Sequence, residues 1–144
     1  MTAMPEIEPL PLAQLTTLRT GGVPERMIDA LTTDELVAAL RDAWAASDSW
    51  LVIGGGSNLF VGDEPFERTV IRLRTQGVER VPSPRPGHAR LRVQAGHDWD
   101  ALVAFCVEQG WSGIEALSGI PGLAGAAPIQ NIGAYGAELG DVLH

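Results

Sequence analysis

Residues 50–58 have the sequence Trp50-Leu51-Val52-Ile53-Gly54-Gly55-Gly56-Ser57-Asn58, in which four apolar residues run directly into three glycines. A short, uninterrupted apolar run is typical of a strand in a parallel sheet that is covered on both faces. Glycine permits positive φ and removes the Cβ atom, so a ligand can approach the main chain closely. Successive amides in such a turn can bind an anion, and Ser57 and Asn58 add side-chain donors. The segment therefore predicts either a diphosphate-binding turn or a tight turn between two strands, and the motif alone does not choose between them.

The residues on both sides of this turn predict a first lobe, residues 15–75, with βαβ-like order. Its predicted elements are a strand over 27–31, a helix over 34–46 with Thr33 as its N-cap, and a strand over 69–73. The predicted apolar stripe of the helix is Leu36, Val37, Leu40 and Trp44. Residues 1–14 contain three prolines among the first 12 residues and show no hydrophobic periodicity, which predicts a loose N-terminal leader.

A second lobe is predicted over residues 76–144. Two β segments, over 78–81 and 89–94, flank a proline-rich turn, and a helix is predicted from Asp98 through Gln109 with Gly110 ending it. The last four residues, 141–144, resemble the start of a strand.

Two further segments concentrate glycine. Residues 118–136 combine Gly, Ala, Pro and Asn with apolar side chains, and we expect this loop to be too hydrophobic to be solvated. Such a loop suits either a flavin ring or diphosphate, or the close approach of two structural elements. The other segment, residues 18–22, places the single cation Arg19 before two glycines. Since no Arg or Lys follows Arg92, a phosphate bound by the 118–136 loop must rely on backbone amides and neutral donors.

Composition excludes several other classes of function. All 10 basic residues are Arg, which excludes a P-loop lysine and a pyridoxal Schiff base. One Cys and three scattered His provide neither an internal disulfide nor a zinc site, so we expect no metal. The net charge of −8 argues against nucleic acid or an anionic membrane as partner. Without a membrane-length apolar run or signal peptide, the chain is expected to be soluble and cytoplasmic.

Taken in order, the motifs resemble those of the bacterial UDP-N-acetylenolpyruvoylglucosamine reductase family, also called UDP-N-acetylmuramate dehydrogenase. The resemblance spans about residues 15–142 and is carried by the following stretches: Thr17-Leu18-Arg19-Thr20-Gly21-Gly22, Gly54 to Asn58, Gly113-Ile114-Glu115, Gly119-Ile120-Pro121-Gly122, and Pro128-Ile129-Gln130-Asn131-Ile132-Gly133-Ala134-Tyr135-Gly136. It implies an α+β FAD-binding fold of the vanillyl-alcohol-oxidase (PCMH) type, with two small α+β lobes and the cofactor between them.

The same resemblance implies a function and a set of binding residues. The family uses NADPH to reduce FAD, which then reduces the enolpyruvyl group of a UDP-linked sugar to give UDP-N-acetylmuramate, a peptidoglycan precursor of cell-wall biogenesis. By this resemblance Gly54, Gly55, Gly56, Ser57 and Asn58 hold the diphosphate, and Arg19 lies near the cofactor. The residues implied to line the diphosphate and the isoalloxazine are Gly122, Gly125, Ala126, Asn131, Gly133, Ala134, Tyr135 and Gly136.

The family's catalytic Ser, Tyr–Arg pair and late Glu have no match in this chain, so the resemblance implies no catalytic residue here. We expect the chain to be the N-terminal FAD-binding part, without the substrate-binding domain that contacts the UDP-sugar, inactive alone and prone to self-association. Two alternatives stay open: another FAD-dependent oxidase or dehydrogenase of the same fold, and a non-catalytic nucleotide-binding module.

Overall fold

Strands and helices are both present in the computed structural model, which describes residues 5–143. The chain divides into two units, residues 1–75 and 76–144, with the boundary between Thr75 and Gln76. Neither of the two α-helices in the described residues is long and apolar enough to span a membrane.

The first unit is a four-stranded sheet with one helix packed on it. Its elements are β1 (Glu6–Ile7), a 3₁₀ turn (Leu12–Gln14), β2 (Pro24–Ala30), α1 (Thr33–Ala45), β3 (Trp50–Ile53) and β4 (Phe66–Leu73). The strand order is β1-β2-β4-β3, in which β4 pairs in parallel with both β2 and β3, and β1 is antiparallel to β2. The βαβ-like order predicted for this region is therefore confirmed, with β4 inserted between β2 and β3.

Helix α1 begins one residue earlier than predicted, and the predicted apolar stripe is confirmed at Leu36 and Leu40 and wrong at Val37 and Trp44. Thr32, not Thr33, is the N-cap: its side chain accepts from the Glu35 amide at 3.2 Å, and Glu35 Oε2 accepts from the Thr32 amide at 2.9 Å. Val37 and Trp44 of the predicted stripe are exposed. The helix packs on the sheet through Leu36 and Leu40 together with Ala39, which lies on the same face and was not part of the predicted stripe.

The prediction of a loose leader is wrong over its described residues. Strand β1 pairs with β2, and Leu12 is completely buried in a core with Met27, Ile53 and Val70. In this segment apolar residues are interspersed with prolines, and the buried side chains follow neither a helical nor a strand period. The sequence pattern therefore did not indicate that the segment pairs with β2 and packs into the core. Residues 1–4 of the predicted leader lie outside the described residues.

Strand β3 is covered on both faces toward its end, as predicted: Val52 packs against the core that contains Ala39 of α1, and Ile53 belongs to the core that contains Leu12. It pairs with β4 alone, so it lies at an edge of the sheet. The exposure of its side chains decreases along the strand, from the exposed Trp50 to the buried Ile53. An apolar run can be an edge strand when only its last residues enter the core.

The second unit consists of short strands around one helix. Its elements are β5 (Val78–Val81), β6 (Arg90–Val93), α2 (Trp99–Glu108), β7 (Gly133–Ala134) and β8 (Ala137–Glu138), with 3₁₀ turns at Glu115–Leu117 and Leu139–Asp141. The pairs β5–β6 and β7–β8 are both antiparallel. Asp98 is the N-cap of α2 as predicted, accepting from the Ala101 amide at 2.8 Å.

The core of the second unit joins α2 to the glycine-rich segment that follows it. Its buried members are Trp99, Leu102, Val103, Cys106, Leu117, Ala127, Ile132 and Leu139. The predicted opening of a strand over 141–144 is wrong for the described residues, since Leu139–Asp141 forms a 3₁₀ turn that inserts Leu139 into this core. His144 lies outside the described residues.

Candidate functional site

Two of the three glycine segments contact each other in the first unit. We call residues 16–22 the Arg19 loop and residues 54–58 the glycine turn. The Thr17 amide donates to the Gly56 carbonyl at 3.1 Å. Gly56 has a φ of +65°, and a Cβ at this position would overlap the Leu15 carbonyl oxygen. The structure therefore brings Arg19 and the glycine turn into neighbouring segments, although 37 positions (56 − 19) separate Arg19 from Gly56 in the sequence.

The Arg19 loop is held by hydrogen bonds that leave its cation exposed. The Thr16 hydroxyl donates to the Thr20 carbonyl at 2.8 Å and accepts from the Thr20 amide at 3.2 Å. Asp63 Oδ1 accepts from the Gly21 amide at 2.9 Å. Arg19 has a positive φ of 55°, uncommon for a residue with a side chain, and is exposed. The loop thus presents one guanidinium on a fixed backbone.

The glycine turn follows the carboxyl end of β3, where ligands of parallel sheets commonly bind. Gly54, Gly55 and Asn58 are exposed, whereas Gly56 is buried. The three consecutive glycines therefore have different reasons to lack a side chain. Packing against Leu15 requires glycine at position 56, and Gly54 and Gly55 expose main chain to solvent.

The residues present here fit the diphosphate of a dinucleotide. The Thr20 Oγ1 atom is buried and has no hydrogen-bond partner among the described residues. A shielded hydroxyl without a partner is costly, and a ligand oxygen would satisfy it. Exposed main chain at Gly54 and Gly55, the Asn58 amide and the Arg19 guanidinium supply the further donors that a phosphate needs.

In the second unit, residues 118–136, which we call the small-residue loop, begin by pairing with the segment before α2. The Ala124 amide donates to the His97 carbonyl and the Gly125 amide to the Ala95 carbonyl, both at 2.8 Å. A Cβ at Gly125 would lie 2.5 Å from the Ala95 Cβ and 2.9 Å from its Cα. The absence of a side chain at Gly125 is thus explained by packing, and a contact of Gly125 with the cofactor stays a prediction.

The other candidates at the start of this loop are partly buried. The Gly122 carbonyl accepts from the Trp99 amide at 3.1 Å, which ties the loop to the first turn of α2. Ala126 is partly buried beside Ala127, which belongs to the core.

The end of the loop is a tight hairpin that carries Tyr135 at its tip. Tyr135 and Gly136 have φ values of +53° and +80° between β7 and β8, as a two-residue type I′ turn requires. Asn131, with a φ of 45°, braces the hairpin: its Nδ2 donates to Glu138 Oε2 at 2.8 Å and its Oδ1 accepts from the Gly140 amide at 2.7 Å. Gly133 is exposed and Ala134 is partly buried. The side chain of Asn131 is therefore engaged within the loop itself.

Exposed apolar side chains concentrate in these segments. The five most exposed large apolar residues of the described chain are Tyr135, Ile129, Phe60, Trp44 and Leu18, at 96%, 86%, 80%, 76% and 61%. Leu18 lies in the Arg19 loop, Ile129 and Tyr135 lie in the small-residue loop, and Phe60 follows the glycine turn by two residues. Trp44 lies on α1, outside these segments. The expectation that the small-residue loop is too hydrophobic to be solvated is confirmed for Ala127 and Ile132, which are buried in the core, whereas Ile129 and Tyr135 are exposed. Sequence reasoning did not select Leu18, Phe60 or Ile129 as site residues, and the only available signal was their position beside glycines.

Acidic side chains near the small-residue loop support its backbone. Asp100 accepts from the Gly119 amide at 2.7 Å and from the Ser118 hydroxyl at 2.8 Å, and these bonds lower the pKa of Asp100. The Gly113 amide, as the largest cause, likewise lowers the pKa of Glu115. Both carboxylates are thereby held ionised, which suits a structural brace and not a proton donor at neutral pH.

Neither a reactive thiol nor a metal centre is seen in residues 5–143. Burial raises the pKa of the Cys106 thiol, which lies in the core of the second unit. No group of three or more metal-binding side chains occurs among these residues.

A polar depression of about 390 Å³ lies elsewhere in the first unit. It is lined by Glu6, Glu25, Arg26, Ser47, Asp48, Ser49, Glu67, Arg68 and Thr69. None of these is a predicted site residue, and they come from β1, the first halves of β2 and β4, and the segment before β3. This depression is therefore distinct from the glycine turn, which follows the carboxyl end of β3.

Comparison with known proteins identifies a family model and relatives that cover most of this chain. The family model described as "FAD binding domain" matches residues 24–144. A UDP-N-acetylenolpyruvoylglucosamine reductase of Leifsonia xyli subsp. xyli is 56% identical over 136 residues, covering 94% of this chain and 36% of the relative. One from Cutibacterium acnes is 48% identical with the same coverage. The chain thus spans about a third of the length of these relatives.

The fold agrees with these matches. The crystal structure of UDP-N-acetylenolpyruvylglucosamine reductase from Thermus caldophilus superposes with a TM-score of 0.71 at 31% identity, over 96% of this chain and 47% of that one. The predicted α+β fold of the vanillyl-alcohol-oxidase type is confirmed, as is the resemblance to the reductases. By the match over residues 24–144, this chain belongs to the FAD binding domain family.

Proposed function

We propose that this chain is the FAD-binding part of a UDP-N-acetylenolpyruvoylglucosamine reductase, which reduces UDP-N-acetylglucosamine enolpyruvate to UDP-N-acetylmuramate with NADPH as reductant. The reaction class, substrate and reductant come from the reductases that the chain resembles. Because both nucleotides are cytoplasmic metabolites, the proposal places the protein in the cytoplasm, in peptidoglycan precursor synthesis.

In this proposal the main chain does most of the cofactor binding. Exposed main chain at Gly54 and Gly55, with Asn58 and the Thr20 hydroxyl, would hold the diphosphate, and Arg19 would offset its charge. The small-residue loop would line the isoalloxazine through the hairpin that carries Tyr135. Bound FAD would supply the capacity to accept a hydride from NADPH and pass it on.

The observation that carries this proposal is the exposure of Leu18, Phe60, Ile129 and Tyr135 within or beside the glycine segments. A single exposed apolar side chain is common on soluble proteins, whereas several of them concentrated in a few segments indicate a surface that a ligand or partner covers. Flat, largely apolar rings flanking a diphosphate account for apolar side chains next to exposed amides.

Flavin binding can be tested directly with the purified chain. We expect an absorbance spectrum with flavin bands after reconstitution with FAD, and release of the flavin on denaturation. A colourless chain without affinity for FAD would support the non-catalytic module instead. Flavin that stays attached after denaturation would support another oxidase of the same fold, since many of those link FAD to a histidine.

Turnover requires a separate assay. We expect the chain alone not to oxidise NADPH in step with product formation, because the family's catalytic Ser and Glu have no match here. The longer Leifsonia xyli reductase serves as the positive control. Product formation by the 144-residue chain at a comparable rate would refute this part of the proposal.

The same exposed apolar side chains support the proposal that the isolated chain self-associates. Sedimentation velocity over a range of concentrations is expected to show species larger than the monomer. FAD should reduce this association if the apolar residues contact the cofactor. A monomer at all concentrations would refute it.

A further inference from the structure

We propose that the outer edge of strand β3 is a dimer interface, at which two copies of this chain pair through antiparallel strands. The surface consists of the main chain of Trp50 and Val52 with the side chains of Val37, Trp44 and Trp50, and we call it the β3 edge surface. It lies in the first unit and does not depend on FAD binding. Cofactor binding leaves the exposure of Trp44 unexplained, because this residue lies outside the glycine segments.

One side of the main chain of β3 has no partner. The Ser49 carbonyl accepts from the Thr69 amide of β4 at 3.1 Å, which fixes the residues whose main chain faces that strand. Because successive residues of a strand direct their N–H and C=O groups to opposite sides, Trp50 and Val52 direct theirs away from β4. Within residues 5–143, no other strand pairs with β3 and no backbone bond joins these groups to another segment. They are therefore free to pair with another chain.

The two edges of this sheet differ in their protection against such pairing. Strand β1, at the opposite edge, is two residues long, contains Glu6 and lies between Pro5 and Pro9. Short strands, charges and prolines are the usual means by which proteins prevent edge-to-edge association. Strand β3 has the sequence Trp-Leu-Val-Ile, with neither charge nor proline, and its register with β4 contains no bulge. The β3 edge is thus unprotected.

Helix α1 adds apolar side chains above this edge. Asp42 marks the flank of the helix that faces β2, since its Oδ2 pairs with the Arg26 guanidinium at 2.7 Å. At 3.6 residues per turn, Trp44 lies about 200° around the helix from Asp42, and Val37 lies on the same flank as Trp44. The strand order β1-β2-β4-β3 places β3 on the side away from β2. Val37 and Trp44 therefore lie on the β3 side of α1.

Trp50 belongs to the same face of the sheet. Val52 packs against the core that contains Ala39 of α1, and Trp50 precedes it by two residues, so both side chains lie on the helix face. Trp44 is 76% exposed, and Trp50 and Val37 are both 39% exposed. The edge thus combines unpaired main chain with a contiguous group of large apolar side chains, which is typical of a surface that another chain covers.

A second copy fits this surface because identical edges satisfy each other when they run antiparallel about a two-fold axis. Trp50 of one copy then lies opposite Val52 of the other, and the two exchange N–H···O=C hydrogen bonds. The same axis places both α1 helices on one face of a continuous sheet and runs them antiparallel. Trp44 of each copy is thereby brought towards Val37 of the other.

Charge does not oppose this contact, although the net charge of the chain is −8. Residues 49–56 contain no charged side chain, so a second copy brings no like charges together along the strand. The exposed parts of Val37, Trp44 and Trp50 amount to on the order of 300 Å² per copy. A stable complex buries roughly 800 Å² per partner. We therefore expect a weak dimer, with a dissociation constant in the micromolar range.

Sedimentation velocity of the 144-residue chain, from low micromolar to near-millimolar concentration, measures the dimer. Trp50→Lys places a charge on the edge without removing a β3–β4 backbone bond. Val107→Gln is a matched control, since Val107 is an exposed apolar residue on α2 in the second unit. Leu18→Gln removes an apolar side chain of the Arg19 loop and so separates this dimer from association through the cofactor segments. Thermal unfolding checks that each variant folds.

Amide hydrogen exchange of the unsubstituted chain is the second measurement, at the two ends of the same concentration range. The Trp50 and Val52 amides should be protected at high concentration only, because their partners belong to the other copy. The Leu51 and Ile53 amides face β4 and serve as the internal reference.

We expect a species of twice the monomer mass that increases with concentration. Trp50→Lys should raise its dissociation constant by at least about tenfold, because the lysine charge would lie in an apolar contact. Trp44→Gln should weaken the dimer less, since it leaves the strand pairing intact. Val107→Gln and Leu18→Gln should dimerise as the unsubstituted chain does.

A monomer at every concentration would overturn the proposal, as would a dimer that Trp50→Lys leaves unchanged. Loss of the dimer in Leu18→Gln but not in Trp50→Lys would place the contact at the cofactor segments instead. If Trp50→Lys does not fold, hydrogen exchange decides: Trp50 and Val52 amides whose exchange is the same at both concentrations would overturn the assignment to the β3 edge.

Discussion

Replacing Gly56 by alanine tests whether the contact between the glycine turn and the Arg19 loop determines the stability of the first unit. Gly56 is buried with a φ of +65°. An alanine Cβ would overlap the Leu15 carbonyl oxygen and would lie 2.9 Å from the Leu15 carbonyl carbon and 3.1 Å from the Thr16 Cα. All three neighbours are backbone atoms, so relief requires one segment to move.

Two costs add at this position. A left-handed conformation costs a residue with a Cβ atom about 1–2 kcal/mol. Overpacking against a fixed neighbour costs typically about 1–3 kcal/mol more. We therefore expect Gly56→Ala to lower the free energy of unfolding of the first unit by about 2–5 kcal/mol, which is a large fraction of the roughly 5–15 kcal/mol available to a small domain.

Gly62→Ala is the matched control in the same unit. Gly62 has open space around it and is not among the residues with positive φ. Alanine there should change stability by less than about 1 kcal/mol, in the stabilising direction, because it restricts the unfolded chain.

Hydrogen exchange of the β4 amides (Phe66–Leu73) measures opening of the first unit, and exchange of α2 (Trp99–Glu108) provides an internal reference in the second unit. We expect faster exchange in β4 for Gly56→Ala only, with α2 unchanged. Equal exchange in β4 for the two variants would refute the reasoning that packing against Leu15 requires glycine at position 56.

Three other predictions concern individual side chains. Thr32→Ala removes the N-cap oxygen that accepts from the Glu35 amide and should destabilise the first unit by about 1 kcal/mol, measured by urea unfolding. The pKa of Asp100 is lowered in the folded chain by the Gly119 amide, so its stabilisation is complete above the ordinary value of about 3.9 and lost as the pH falls through the folded pKa. The Gly119 amide resonance should therefore shift in acid, and not in Asp100→Ala at the same pH. Cys106 should resist alkylation at neutral pH until the chain is denatured, as mass spectrometry would show, because its thiol is buried and its pKa is raised.

The sequence predicted those elements in which one local signal dominates. Asp98 caps α2 as expected, and the parallel strand ending at Ile53 runs into the glycine turn. The prediction of the buried face of α1 was partly wrong, because the helix has apolar residues on two overlapping faces. Contact with the sheet selects the face that contains Ala39. The prediction also failed at Leu12, because burial there depends on packing with Met27 and Val70, which are remote in sequence.

Glycine content indicates where the main chain needs freedom, but it does not separate packing from ligand binding. Gly56 and Gly125 lack side chains because Leu15 and Ala95 occupy the space that a Cβ would need, while Gly136 has no atom nearby and serves the turn. A motif can therefore be rich in glycine for structural reasons alone.

Exposed apolar side chains supply the information that glycine does not. A solvated turn needs no phenylalanine or tyrosine, and exposing these side chains costs free energy in the absence of a ligand. Phe60 and Tyr135 lie beside or within segments that expose main chain, in a protein with 10 basic residues against 18 acidic ones. Such a protein attracts a dinucleotide poorly through its net charge, so apolar contact with the rings and hydrogen bonds from the main chain must provide most of the affinity. For that reason we expect substitutions at Phe60 to affect FAD binding more than substitutions of exposed arginines outside the Arg19 loop.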